Sequence, residues 1–287
     1  MEQIRERIIL PDSDFIDLDW SYSKTITQQL VILLHGLEGN AQRTYIKGVA
    51  AHLNNNGWDT VAVNFRGCSG EPNRLYKSYT AGASDDLKEV INYILEKDRY
   101  DKIMLNGFSL GGNLMLKYLG EGNDIPSEIK KAAAVSTPLS LEQSLEELNK
   151  RHNVIYSQFF LLSLKKKLKE KSQLFPEDIP QADYKKVKSL LDFDTIYTSK
   201  AHGFADAYDY YRKNSSLQFL PEIKIPVLIL NAHNDSFLSP ACYPIELAEK
   251  QKNIFLEMPK YGGHVGFYDK QNVYYNEKRT AEFFGGL

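Results

Sequence analysis

Residues 102–120, KIMLNGFSLGGNLMLKYLG, constrain the fold more than any other stretch of the chain. A short apolar run passes through glycines around one serine and becomes a helical pattern, so a strand must turn into a helix at Ser109. A turn that sharp leaves no room for side chains two positions on either side, a condition that Gly107 and Gly111 meet. Gly112 lets the following helix lie close to the strands. The pattern G-x-S-x-G is common by itself, and a serine there often only caps a helix. A strand before it and a helix after it are what make it read as a nucleophile elbow.

The same alternation runs through the chain. LVILL (30–34), TVAVNF (60–65), AAAVS (132–136), PVLIL (226–230) and IFLEM (254–258) read as buried strands. Between them Tyr45, Ile46, Val49, Ala50 and Leu53, then Leu87, Val90, Ile91, Ile94 and Leu95, recur at helical spacing. Apolar strands alternating with amphipathic helices predict one α/β domain over 1–287, with a mostly parallel sheet covered on both faces. FIDLDW (15–20) alternates instead, which predicts an antiparallel edge hairpin near the N-terminus. From about 139 to 215 the strands stop. Leu141, Leu145 and Leu148, then VIYSQFFLLSLKKKLKEK and HGFADAYDYY, predict a helical lid insertion after AAAVS. No Gly/Ser linker flanks it, so it is expected to be part of the same domain.

A serine at such an elbow needs an acid and a base, in the chain order Ser, Asp/Glu, His, each in a loop after a later strand. Asp235 follows PVLIL in NAHNDSF, and His264 follows IFLEM in PKYGGHVGF. TPLS, after AAAVS, has no carboxylate to compete with Asp235. A loop aspartate alone is usually a turn residue and a loop histidine usually solvated; the order and context of all three carry the expectation. Two backbone N–H groups should face the developing oxyanion. Leu110, at a helix N-terminus, and Leu37, in the loop LLHGLEGN, are the expected donors. His35 and His233 are read as having no catalytic role.

Composition excludes other classes. With 35 Lys and Arg against 37 Asp and Glu the formal charge is −2, which builds no field for nucleic acid. No apolar run approaches the roughly 18 residues of a membrane span, and MEQIRERIIL lacks the apolar core of a signal peptide. Two cysteines, Cys68 and Cys242, form no CxxC, so neither a disulfide framework nor a zinc site is expected, and the cytoplasm is the expected compartment. No G-x-G-x-x-G follows a strand, which argues against a dinucleotide. The run KKKLKEK (165–171) reads as a solvated helix face. Its alternative is a lid surface touching anionic lipid headgroups.

HGLEGN (35–40), NFRGCSGEPNR (64–74), GFSLGGN (107–113), GFADAYDYY (203–211), NAHNDSF (231–237) and GGHVGF (263–268) together resemble the α/β-hydrolase superfamily, and more narrowly its YheT-like branch. The resemblance covers about 30 to 270. It implies Ser109 as nucleophile, Asp235 as acid, His264 as base, and carboxylesterase or phospholipase-like lipase activity on acyl esters. Ser236 departs from the proline common in relatives. In NFRGCSG Cys68 is read as non-catalytic, since no second histidine lies in a comparable loop and Ser109 already has its partners, and Arg66 is read as shaping the pocket wall. The expected protein is therefore a serine hydrolase working through an acyl-enzyme, without metal or organic cofactor. Acyl transfer by the same residues and a non-catalytic receptor are the alternatives. Phe159 and Phe160, with Leu145, Leu148 and Leu164, are expected to line the acyl pocket.

Overall fold

The structure is a computed structural model that describes residues 2–269 and 273–285. Eight strands form one sheet: β1 (Ile4–Ile9), β2 (Phe15–Ser21), β3 (Gln29–Leu34), β4 (Asp59–Asn64), β5 (Lys102–Phe108), β6 (Ile129–Val135), β7 (Val227–Leu230) and β8 (Ile254–Glu257). Their order is β1-β2-β4-β3-β5-β6-β7-β8. β2 runs antiparallel to β1 and β4, and every pair from β4 to β8 is parallel.

The near-continuous apolar runs arise because both faces of the parallel strands are covered. Leu30, Ile32 and Leu105 point to one face, under α2 (Ser84–Glu96) and α3 (Leu110–Gly120). Val31, Leu33 and Met104 point to the other, under α1 (Thr44–Asn55) and the C-terminal helix Tyr275–Gly285. Each fully buried leucine or isoleucine contributes about 1.5–3 kcal/mol.

The N-terminal hairpin is antiparallel and closes one edge of the sheet, as expected, with β1 outermost. All seven residues of β2 are buried. The cause is ionic. Arg7 and Arg5 of β1 reach across to Asp17 and Asp19, both at 2.7 Å, and cover the polar face.

No strand occurs between β6 and β7. That segment carries α4 (Leu141–Leu148), α5 (Val154–Leu174) and shorter helices. Leu161, Leu164, Leu168, Leu190, Phe193 and Tyr197 give it an apolar cluster, against which Leu37 and Tyr76 also pack. The helices therefore sit over the carboxyl edge of the sheet, where the loops after β3, β5, β6, β7 and β8 converge. No described helix is long and apolar enough to cross a membrane.

Candidate active site

β5 becomes α3 through Ser109, whose φ of 51° and ψ of −121° are strained for any residue with a side chain. The glycines make the turn possible. A Cβ on Gly107 would stand 2.6 Å from the Gly111 carbonyl oxygen, and one on Gly111 would stand 2.5 Å from that of His35. The Ser109 N–H is tied to the Val135 carbonyl at 2.9 Å, so the turn is anchored to β6.

The loops after β7 and β8 bring two further side chains to this point. His264 Nε2 lies 3.0 Å from Ser109 Oγ, and its Nδ1 lies 2.9 and 3.2 Å from the two carboxylate oxygens of Asp235. Asp235 is buried and also accepts the Phe237 N–H at 3.0 Å. The Phe237 ring packs 4.3 Å from the imidazole. An acceptor carboxylate on Nδ1 places the ring proton there and leaves Nε2 as an acceptor facing Ser109.

The loop after β3 passes close by. A Cβ on Gly36 would sit 3.6 Å from Ser109 Oγ. Its N–H groups are almost all engaged: Gly36 donates to the Tyr45 hydroxyl at 3.1 Å, Glu38 to the Tyr79 hydroxyl at 2.9 Å, and Gly39 to the Gly36 carbonyl at 3.0 Å. The Leu37 N–H has no acceptor among the described residues. Leu110 occupies the first position of α3, so its N–H has no intrahelical partner. Leu37, Leu110 and Ser109 line one cavity.

Four other motif residues stand apart from the line of Asp235, His264 and Ser109. His35 is fully buried, with Nδ1 on the Gly36 carbonyl at 2.8 Å and Nε2 accepting the Phe65 N–H at 3.2 Å. Burial holds its pKa down at about 3, so it stays neutral. His233 is exposed and stacks on Tyr243. Burial pushes the Cys68 thiol up to about 11, which makes it a poor thiolate nucleophile. Arg66 lines the cavity beside the site but is held by Asp12, Asp14 and Asp86 at 2.7–3.1 Å. Asp206 caps a helix, and Asp209 pairs with Arg212 and Lys213.

A cavity of about 160 Å³ opens at Ser109 and His264 and runs beneath the helices between β6 and β7. Leu145, Leu148, Phe160 and Leu164 line it, as expected from the sequence. Phe159 does not. It is 52% exposed, on the outer stripe of α5 with Ile155 and Leu162, one helical step away from the inner face. The lysine run is also differently placed. Lys165 donates to the Val187 carbonyl, Lys167 to Glu38 and Lys171 to the carbonyls of Asn73 and Leu75, while Lys166 and Lys169 stay in solvent. The face is therefore only partly solvated, because the loops after β3 and β4 offer Lys167 and Lys171 acceptors and the helical segment offers Lys165 one.

Asp194, also on the cavity wall, accepts from Thr198 and Tyr211, both at 2.6 Å, and meets no cation among the described residues. Burial pushes its pKa up to about 6 from an ordinary 3.8. A carboxyl raised in this way adds stability that is complete below the unfolded value and is lost as pH rises through the folded one. The Tm of the wild type minus that of Asp194→Asn should therefore fall from about pH 4 to about pH 6.5 and then level off. A difference that stays constant over that interval would contradict the buried carboxyl.

Several residues that hold these loops were given no such role in the sequence reading. Asn234 Oδ1 accepts the N–H groups of Gly262 and Gly263, both at 2.9 Å, and so aims the loop that carries His264. Ser136, with φ 51°, accepts the Val265 N–H at 3.0 Å. Asn153 and Ser236 exchange hydrogen bonds at 2.6 and 2.7 Å, which ties the Asp235 loop to the start of α5. The one available signal was asparagine and serine in the turns beside the elbow's partners and at a helix cap, where such side chains bond nearby backbone.

Comparison with known proteins places this geometry. The sequence profile of the alpha/beta hydrolase fold matches residues 29–271. A putative esterase, YheT, of Escherichia coli is 34% identical over 91% of this chain and 78% of its own length. Phospholipase ABHD3 of mouse is 31% identical over 91% of this chain and 66% of its own length. Among solved structures, esterase Pf2001 of Pyrococcus furiosus superposes with a TM-score of 0.64 at 18% identity, covering 99% of this chain and 92% of that one, a likeness of fold. The chain belongs to the alpha/beta hydrolase family of enzymes.

Proposed function

We propose that this enzyme hydrolyses carboxylic esters by serine catalysis through an acyl-enzyme. Ser109 attacks the ester carbonyl, and His264 takes its proton and returns it to the leaving alcohol. Asp235 holds the imidazole in the working tautomer and stabilises its cation. The N–H groups of Leu37 and Leu110 receive the oxyanion, and water attacks the acyl-enzyme by the same steps in reverse. What carries this reading is the unbroken hydrogen-bonded line from Asp235 through His264 to Ser109, which ends in a cavity that Leu37 and Leu110 also line. The two free, buried cysteines support a reducing cytoplasm as its compartment. Fluorophosphonate should label Ser109 alone and abolish turnover of p-nitrophenyl acetate. A wild-type protein that resists the probe would remove the reading. Trapping of the acyl group by added ethanol in preference to water would make the enzyme an acyltransferase.

The helices over 139–215 serve as a lid that supplies the acyl pocket. The apolar wall supports medium acyl chains, small-molecule or lipid, over acetate. Each methylene it desolvates contributes about 0.8 kcal/mol, about fourfold in kcat/KM, until the space is filled. Phe160→Ala should flatten this chain-length profile. Phe159→Ala, on the outer stripe, should leave it alone. A rate that does not change from acetate to octanoate, measured over a p-nitrophenyl series, would reduce the lid to scaffold.

A further inference from the structure

The residue after the proposed donor Leu37 is Glu38, a non-glycine residue with φ 54°. That conformation costs roughly 1–3 kcal/mol and persists only where the surroundings over-determine it. Here they do. The Glu38 N–H goes to the Tyr79 hydroxyl at 2.9 Å, and the same hydroxyl donates to Glu38 Oε1 at 2.8 Å. The Glu38 carbonyl accepts from Arg43 at 2.7 Å. Lys167, midway along α5, donates to Oε1 at 2.9 Å. The Glu38 side chain is 4% exposed, so its carboxylate has little water to fall back on. Both Glu38 and Lys167 line the cavity.

The Lys167 charge is well kept. Burial opposes it, but the neighbouring Cys68 and Glu38 outweigh burial and raise its pKa. Burial and the Glu38 charge raise the Tyr79 hydroxyl well above its usual range, so it stays protonated and can both donate and accept. Removing the amine would leave a buried carboxylate with one donor, and such a group moves toward water rather than remain half-paired. Moving it would relax the strained turn at Glu38, and the Gly36–Leu37 peptide that carries the Leu37 N–H, one link before it, would lose its support.

We propose that Glu38 and Lys167 are positioning residues whose ion pair aims the Leu37 N–H at the oxyanion, so that the seating of α5 controls transition-state stabilisation. The inference rests on the serine-hydrolase reading above. It makes the helix that walls the acyl pocket also a determinant of the chemical step.

The test uses the full chain, with Glu38→Gln, Lys167→Met and the double variant, on p-nitrophenyl acetate and on a trifluoromethyl ketone whose hemiketal oxyanion mimics the transition state. In each single variant kcat should fall about ten- to a hundredfold, less than outright loss of an oxyanion donor, with KM within about twofold. Affinity for the ketone should fall by the same factor, and the double variant should be no worse than the worse single one. Should either variant fail to fold, Tyr79→Phe removes the bridging hydroxyl and should give the same pattern. Folded variants with unchanged kcat, a loss confined to KM, unchanged ketone affinity, or additive losses would each overturn the proposal. Fluorophosphonate labelling of wild-type Ser109 separates the two failures. Without labelling the serine-hydrolase reading falls; with labelling and unchanged variants only the ion-pair inference does.

Discussion

Ser109→Ala should lower kcat for ester hydrolysis by about 10⁴–10⁶ while leaving the fold in place. The size follows from the members of the line acting as a unit: without the hydroxyl, His264 has no proton to take. The fold survives for reasons visible around the residue. Ser109 Oγ makes one hydrogen bond, to His264 Nε2 at 3.0 Å, whereas its backbone N–H holds Val135 at 2.9 Å whichever side chain is present. Alanine keeps the Cβ and the strain at φ 51°, so the elbow gains no new clash. Steady-state kinetics beside circular dichroism check both halves. A fully active alanine variant, or fluorophosphonate on Ser69 or Cys68, would show that the chemistry lies elsewhere.

Asp235→Asn should cost roughly 10⁴ in kcat, with little effect on KM or stability. Oδ1 of Asp235 accepts the Phe237 N–H at 3.0 Å, and Oδ2 faces His264 Nδ1 at 2.9 Å. An asparagine will keep its oxygen on the Phe237 N–H and present its amide nitrogen to Nδ1. Nδ1 must then accept, which moves the ring proton to Nε2, and Nε2 can no longer take the proton of Ser109. Of the parallel variants, Asp206→Asn keeps the helix cap, because asparagine accepts the same N–H, and Asp209→Asn removes two surface ion pairs, so both should change Tm little and spare kcat. If either of them damaged kcat more than Asp235→Asn, the acid would come from the helical segment instead.

Much of this molecule is written locally. The strand–elbow–helix at 102–120, the order Ser109, Asp235, His264, and the post-strand position of each are properties of short windows, because period and glycine placement record backbone geometry. The apolar parallel strands could be read for the same reason: burial on both faces leaves no room for a polar alternation.

The errors share another cause. The burial of Asp17 and Asp19 could not be read from FIDLDW, because only the pairing of β2 with β1 puts Arg7 and Arg5 over them. Phe159 and Phe160 are indistinguishable in composition; the rotation of α5 against the sheet edge sends Phe160 inward and Phe159 out. KKKLKEK looked like a solvated face because an isolated helix offers a lysine nothing but water, whereas the folded chain brings Glu38 to Lys167 across 129 positions of sequence. The sequence by itself determined which segments are strands and helices, and in what order the serine, the acid and the histidine arrive at one edge of the sheet. The tertiary structure alone decided which charged and aromatic side chains turn inward. A buried charge takes its stability from a partner, and that partner is fixed by how distant segments pack.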